Sequence, residues 1–444
     1  MTLRALFLLA TATLCGLSQA ASTDEKTPPQ RPGETQPLDK PGAAADAEEP
    51  HDWWSGKWAS GDWNGSRTYL EKRGMVFELT YTGELRSNFA GGTNTNNATK
   101  YLEDVNASFD FFTDKFGLYS GGEYYIRFEG VAGKGISDDY VGDVQLLSSI
   151  DAHPFNQVSE FFYRHSILDD HLHFKLGKQD GTGDFIALKY GVDFTHSAFG
   201  CMSNIPIPRF HNDALAAVVS YQATPWFAFA TGVYDDRSTG KTTGFDTTLE
   251  KPFHEFSILE LTFTPKLIPD LPGWFRIGTW HERRDLPLVG AVVSPTPPGR
   301  PPHPPMTTPP AFQHDFGGYF DFDQLVYRFS AKPEDDRGVG VFGQYSWSPD
   351  DRNTTPVYLG GGIRVKGFLD ARSADSIGVG FASVIFADAL KRTQGKTQET
   401  AVEFFYKVQV TPFMFFQPDF QYILKPGGNQ RDAVTGGIRF QVAF

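Results

Sequence analysis

From Val76 to the carboxyl terminus the chain changes character at every second residue, and few folds can use such a run. In Glu78-Leu79-Thr80-Tyr81-Thr82-Gly83-Glu84-Leu85-Arg86, one set contains Leu79, Tyr81 and Leu85. The other contains Glu78, Thr80, Thr82, Glu84 and Arg86. Successive side chains of a β-strand point to opposite faces, so the pattern predicts an extended segment with one oily side and one wet side. The last residues repeat it: Ile438, Phe440, Val442 and Phe444 alternate with Gly437, Arg439, Gln441 and Ala443.

The same alternation predicts sixteen strands, at 76–87, 101–112, 121–130, 158–167, 172–179, 214–223, 226–234, 254–264, 274–282, 317–330, 338–347, 355–366, 376–386, 398–411, 413–423 and 432–444. Their connections sort by length. Thr224-Pro225 and Thr411-Pro412 are hairpin-tight, whereas 131–157, 180–213 and 283–316 are long. Tight turns on one rim and long loops on the other, with an even strand number, describe an antiparallel transmembrane β-barrel of the bacterial outer membrane. A soluble β-sandwich also alternates, but it has no need of sixteen strands with loops sorted by rim. The all-β reading is therefore a 16-stranded barrel over 76–444. Its final aromatic, Phe444, is the residue such barrels present to their assembly machinery.

Composition supports a membrane wall built of strands. The mean hydropathy of −0.34 argues against helical membrane spans, yet 40 Phe, 17 Tyr and 8 Trp need an apolar surface. A barrel provides one, because every other strand residue faces lipid. Phe109, Phe128, Phe404, Phe416, Phe420, Tyr422 and Phe440 are expected there. The formal charge of −13 excludes a nucleic-acid partner. Residues 1–20 have the shape of an export signal: Arg4, an apolar run from Ala5 to Leu17, and Ser18-Gln19-Ala20 as a small-x-small cleavage site. Leu14 before Cys15 argues against a lipoprotein. With the leader removed only Cys201 remains, so no internal disulfide can form. Residues 21–51 read as a disordered linker rich in Pro, Glu, Asp, Ala and Gly. Residues 52–75 are expected to form a short periplasmic helical segment, with a helix over 65–73, Asn64 as N-cap and Gly74 at its stop. The Pro-rich stretch 295–310 reads as an extended insert in a long loop.

Strand parity turns Glu78, Glu84, Arg86, Asp104, Asp110, Glu123, Tyr125, Arg127, Glu129, Glu160, Phe162, Arg164, Lys175, Glu403 and Lys407 toward the lumen. Acidic and basic groups are mixed among them, unlike the clustered cations expected of a phosphate pore. Motifs for hydrolysis, zinc proteolysis or nucleotide binding are missing, and no cofactor or metal is implied. Asp169-Asp170-His171 falls in a tight turn and reads as a solvated connection.

Several segments resemble the carbohydrate-selective, OprB-type porins. Gly61-Asp62-Trp63-Asn64-Gly65-Ser66-Arg67 with Leu70 and Arg73-Gly74 is similar to their amino-terminal signature. Leu176-Gly177-Lys178-Gln179-Asp180 with Asp184-Phe185, and Gly361 to Gly367 with Arg372 and Asp375 to Gly378, resemble later blocks. The longest is Gln417-Pro418-Asp419-Phe420-Gln421-Tyr422-Ile423 with Pro426-Gly427, closing on Gly437-Ile438-Arg439-Phe440 and Phe444. Asn64 and Ser66 depart from the family pattern, as does the Pro-rich insert. The resemblance implies a sixteen-stranded pore for glucose and related neutral sugars, narrowed by inward-folded loops.

A sugar pore exchanges solute hydration for weak side-chain hydrogen bonds and performs no bond chemistry. Glu84, Arg86, Arg127, Glu129, Glu160 and Arg164 combine opposite charges with positions beside the first long loops, and are the expected constriction. Tyr125 and Phe162 are the expected sugar-stacking rings. The implied setting is the Gram-negative outer membrane, with carbohydrates and membrane lipids as partners and either a monomer or a homotrimer as the assembly. Two other functions fit the same strands: a general or ion-selective porin, and a loop-plugged structural or adhesive surface barrel.

Overall fold

A computed structural model describes residues 53–235, 243–245, 254–290, 312–330, 332 and 335–444. The leader (1–20), the linker (21–51) and the Pro-rich stretch (295–310) lie outside the described residues.

Sixteen strands form the wall. They are β1 (Met75–Ala90), β2 (Thr99–Phe112), β3 (Gly122–Gly133), β4 (Phe155–Ile167), β5 (Leu172–Gln179), β6 (Ala214–Thr224), β7 (Phe227–Asp235) and β8 (Glu255–Phe263). The second half comprises β9 (Gly273–Arg283), β10 (Asp315–Arg328), β11 (Gly338–Trp347), β12 (Val357–Lys366), β13 (Ser376–Ile385), β14 (Gln398–Thr411), β15 (Met414–Leu424) and β16 (Ala433–Ala443). Each pairs antiparallel with its sequence neighbours. β1 pairs with β16 as well, Glu84 opposite Arg439 and Gly83 opposite Phe440, which closes the sheet. A two-residue strand, Thr243–Gly244, runs parallel to Asn156 and Gln157 of β4 within the β7–β8 connection. Every wall strand begins and ends within three residues of the position read from alternation.

The wall is two-faced, as its sequence requires. On β1, Leu85 is 49 % exposed while its neighbour Glu84 is 2 % exposed. Phe128 and Phe420 are likewise outward and about half exposed, an apolar surface that fits hydrocarbon. Closure removes sheet edges, so the backbone hydrogen bonds of the wall are satisfied within it.

The bore departs from a uniformly wet lumen. Inward positions of β6 to β14 carry Val218, Phe256, Ile258, Trp280, Phe342, Tyr358 and Phe405, all buried. They are covered by the 180–213 connection, whose Phe185, Ile186, Leu188, Phe194, Phe199 and Met202 join the same apolar core. Burying each such side chain contributes about 2 kcal/mol, enough to hold a loop inside the cylinder. The 134–154 connection also folds inward, with Ile136, Val141 and Leu147 packed on Ala401, Ile423 and Ala433.

Before the wall, Trp53–Ser55 and Trp63–Gly65 form single 3₁₀ turns, and Ser66–Lys72 is a short helix, α1. Its cap differs from the sequence reading. Asn64 lies inside the preceding turn at φ 58°, and Gly65 at φ 86° is the N-cap. The carboxylate of Asp62 takes over the capping role, accepting from the Thr68 backbone N–H at 2.7 Å and its hydroxyl at 2.8 Å. With Asn64 inside the turn, the side chain of Asp62, two positions earlier, reaches the helix start instead. Gly74, at φ 80°, ends the segment as read. Asp169, Asp170 and His171 form the tight β4–β5 turn.

Candidate functional site

Antiparallel register builds the wall of the site. β3 and β4 place Glu123 opposite Arg164, Tyr125 opposite Phe162, and Arg127 opposite Glu160. All six point inward because they sit two residues apart on each strand. The result is an aromatic pair between two ion pairs. Arg164 Nε donates to Glu123 at 2.9 Å, and Arg127 is salt-bridged to Glu160. Tyr125 and Phe162 stack at 4.9 Å between centroids and 25° between planes. Lys175, opposite Arg164 on β5, extends the ladder; its ammonium sits 4.3 Å from the Phe162 centroid and 3.0 Å from Asp184.

Facing this ladder is the 180–213 loop, and between them lies a cavity of about 340 Å³. Glu78, Asp110, Asp180, Thr182, Leu188 and Val192 complete much of its lining. Wall carboxylates hold the loop by its backbone. Glu260 accepts from Ile186 N–H at 3.0 Å, and Asp323 accepts from Lys189 and Tyr190 N–H at 3.1 and 2.9 Å. Asp193 on the loop is the converse: Arg364 pairs with it, Lys407 donates to it at 2.9 Å and Ser376 at 3.1 Å. Burial alone would raise the Asp193 carboxyl, but the Arg364 and Lys407 charges hold it well below the usual carboxylate range. His196, buried at the tip beside Arg86, is pushed down to about 3 by desolvation first and then by that guanidinium.

The 134–154 loop is held in the same manner. Glu399 accepts from Val144 N–H at 2.9 Å and Gly427 N–H at 2.7 Å, while Gln421 donates to the Leu147 carbonyl at 3.0 Å. Burial, with Glu399 nearby, pushes the Asp143 carboxyl well up. Desolvation, reinforced by Glu84 and Asp138, raises Asp151 to about 6.

Of the eight residues proposed from sequence, Arg127, Glu160, Arg164, Tyr125 and Phe162 come together on the cavity wall. Glu84, Arg86 and Glu129 are not among the side chains lining it. Arg86 lies between Glu84, at 3.0 Å, and Asp419, at 2.7 Å, and donates to Thr195 Oγ1 at 3.1 Å. Arg439 closes the group, 2.7 Å from Glu84 and 3.0 Å from Ser148 and Ser149. These four charges support both inward loops. Tyr125 and Phe162 are only 7 % and 8 % exposed, each covered by the other and Phe162 also by Lys175, so neither presents an open face. Asp180 and Asp184, which contribute from the loop, carried no parity signal because loops have no period.

The arrangement is a charge-lined cavity inside a closed wall. Residues 96–444 match the family described as carbohydrate-selective porin, OprB family. Porin B of Pseudomonas aeruginosa is 25 % identical over 90 % of this chain and 93 % of its own length. A putative porin, QuiX, of Acinetobacter baylyi is 22 % identical over 89 % of this chain and 95 % of its own. A high-pH structure of Pseudomonas putida OprB superimposes with a TM-score of 0.75 at 22 % identity, covering 89 % of this chain and all of that one. A family match spanning most of the barrel, on a fold that crosses the outer membrane with strands, assigns this chain to the OprB family of carbohydrate-selective porins.

Proposed function

We propose that the chain lets glucose-like monosaccharides and small oligosaccharides diffuse passively across the outer membrane, through the gap between the β3–β5 ladder and the 180–213 loop. The observation that carries this reading is the ladder itself. Paired guanidinium and carboxylate groups border a cavity of about 340 Å³ whose other side is the 180–213 loop. Carboxylates accept from hydroxyls and guanidinium groups donate to hydroxyl and ring oxygens, so water is exchanged without tight capture. Arg127, Glu160 and Arg164 are the proposed contacts. In place of open stacking platforms, Tyr125 and Phe162 act as a strut that keeps the two ion pairs apart.

The amino-terminal 20 residues serve in this reading as a cleavable export signal, and Phe444 as the terminus handed to the assembly machinery. Planar-bilayer recordings with added glucose test the permeation claim. Stepwise channels whose current is reduced by sugar support it, and channels indifferent to sugar favour a general ion-selective porin. The inward packing of both the 134–154 and 180–213 loops favours a second reading, a plugged surface barrel. Recordings without open steps, from protein that is correctly folded, select that alternative.

A further inference from the structure

Over β13 to β16 the rim reverses the charge balance of the chain. Its two connections, 386–397 and 425–432, lie at the same end of the barrel as the 134–154 and 180–213 loops, because strand direction alternates. In a bacterial barrel that end faces the cell exterior. The two connections carry Lys391, Arg392, Lys396, Lys425 and Arg431 against two acids, Asp388 and Asp432, in a chain whose formal charge is −13. Both acids are occupied. Asp388 accepts from Lys391 Nζ at 2.9 Å, and Asp432 accepts from the Tyr422 hydroxyl at 2.9 Å and the Lys425 backbone N–H at 3.0 Å. Among the described residues, Arg392, Lys396 and Arg431 have no carboxylate partner.

Hydrogen bonds fasten the two connections into one platform. Asn429 Nδ2 donates to the Gln394 carbonyl at 2.9 Å, the Thr397 backbone N–H to the Gly428 carbonyl at 3.0 Å, and Lys425 Nζ to the Thr397 hydroxyl at 3.3 Å. Between them lies an open groove of about 620 Å³, lined by Thr397, Lys425, Asn429, Gln430, Arg431 and Asp432. Lys425 and Arg431 are both exposed. Tyr422 marks the height of the groove in the membrane. It continues the outward column of Phe416 and Phe420, 40 % and 47 % exposed, and its hydroxyl reaches Asp432 at the groove's edge. A tyrosine that ends an apolar column with its hydroxyl toward a charged rim sits where hydrocarbon gives way to headgroups.

We propose that this groove binds a phosphate group of the phosphorylated glycolipid that forms the outer leaflet of the outer membrane. Arg431 offers a planar fork to the phosphate oxygens and Lys425 a point charge beside it. Basic pockets at headgroup level bind phosphate-bearing lipids in this way. A lipid is favoured over a dissolved anion because the groove adjoins the lipid-facing column through Tyr422 and Asp432. A glycolipid seated there lays its acyl chains along Phe420 and Phe416, and a dissolved anion gains nothing from them. The site is independent of what passes through the bore.

The test is native mass spectrometry of the intact protein released from detergent micelles. It is titrated with bis-phosphorylated lipid A and with its dephosphorylated counterpart, and inorganic phosphate serves as competitor. The phosphorylated lipid is expected to bind more tightly by on the order of tenfold. K425Q/R431Q is expected to lose that preference, while K72Q, at the opposite end of the barrel, keeps it. Inorganic phosphate at the lipid's concentration is expected to leave the complex intact. Equal binding of the two lipids overturns the proposal, as does a preference that survives in K425Q/R431Q or disappears in K72Q as well. Displacement by equimolar phosphate also overturns it, and assigns the groove to a dissolved anion. Because the comparison of the two lipids is read on the unmodified chain, the proposal is open to refutation even if the double variant does not assemble.

Discussion

Both oxygens of the Glu403 carboxylate on β14 are taken by the tip of the 180–213 loop. Oε1 accepts the Thr195 backbone N–H at 2.8 Å and its hydroxyl at 2.9 Å, and Oε2 accepts the His196 N–H at 2.9 Å. A carboxylate on the wall thus acts as a cap for loop backbone. E403A is expected to leave these donors without an acceptor, at a cost of about 1–3 kcal/mol to the seated loop. The readout is larger open-channel noise and faster proteolysis within 180–213, with E403Q intermediate. Unchanged noise and protection in E403A would count against the anchor.

The four-charge group of Glu84, Arg86, Asp419 and Arg439 is buried, so its members stabilise each other chiefly by preventing isolation. Removing one partner strands the rest, and R86A is expected to cost about 3–5 kcal/mol. The temperature at which the folded, fast-migrating species converts to the unfolded one on electrophoresis should fall. It should fall less in a variant that replaces both Arg86 and Asp419 with apolar residues. A double variant worse than R86A would contradict the pairing.

Acidification should loosen the loop tip through His196. Its folded pKa of about 3 lies below the ordinary histidine value near 6.5. The unfolded or released loop therefore binds more protons between those values, and stability rises with pH across that window. As pH falls from about 6.5 toward 3, seating weakens, because a protonated ring cannot accept the Ala198 N–H, now 3.2 Å from Nδ1, and it meets Arg86. Asp151 on the neighbouring loop, raised to about 6, acts with the opposite sign. H196N retains a capping acceptor without titrating. Hydrogen exchange of Thr195 to Phe199 should lose the acid-dependent component in H196N alone; equal acid sensitivity in both proteins would refute this role.

Arg67 ties the amino-terminal segment to the barrel seam. Its guanidinium donates to the Phe77 carbonyl at 2.6 Å and the terminal Phe444 oxygen at 2.9 Å, and it lies 4.1 Å from the Trp58 ring centroid. R67A is expected to destabilise the closed seam by about 1–3 kcal/mol. R67K should recover only part, since one ammonium cannot replace the planar fork. Melting of the native electrophoretic species measures it, and a wild-type midpoint in R67A would dismiss the latch.

Within the passage, R127A and E160A are each expected to shift the sugar concentration for half-block of current by about tenfold or less, corresponding to the loss of one charged hydrogen bond. E129A, altering a side chain away from the cavity lining, should shift it less. An effect ordered the other way would move the constriction toward Glu129.

Alternation made the wall legible because lipid on one side and lumen or packed loop on the other impose a period of two on every strand. That constraint placed Leu85 outward and Glu84 inward without further information. It also placed Tyr125, Phe162, Arg127, Glu160 and Arg164 on one inward face. What parity could not supply is what an inward side chain meets. Glu84 and Arg86 obey the same period as Arg127, yet they meet Thr195, Asp419 and Arg439 rather than the passage.

The sequence by itself determined a closed sixteen-stranded wall, its outward aromatic surface and the inward set from which any pore must be drawn. Tertiary structure decided which of that set borders open space, because the 180–213 loop packs Phe185, Phe194 and Phe199 on the apolar inner face of β6 to β14. The physical reason is range. Alternation is a local consequence of backbone geometry, whereas the seating of a loop depends on hydrogen bonds and burial between residues as far apart as Thr195 and Glu403, a relation with no periodic trace.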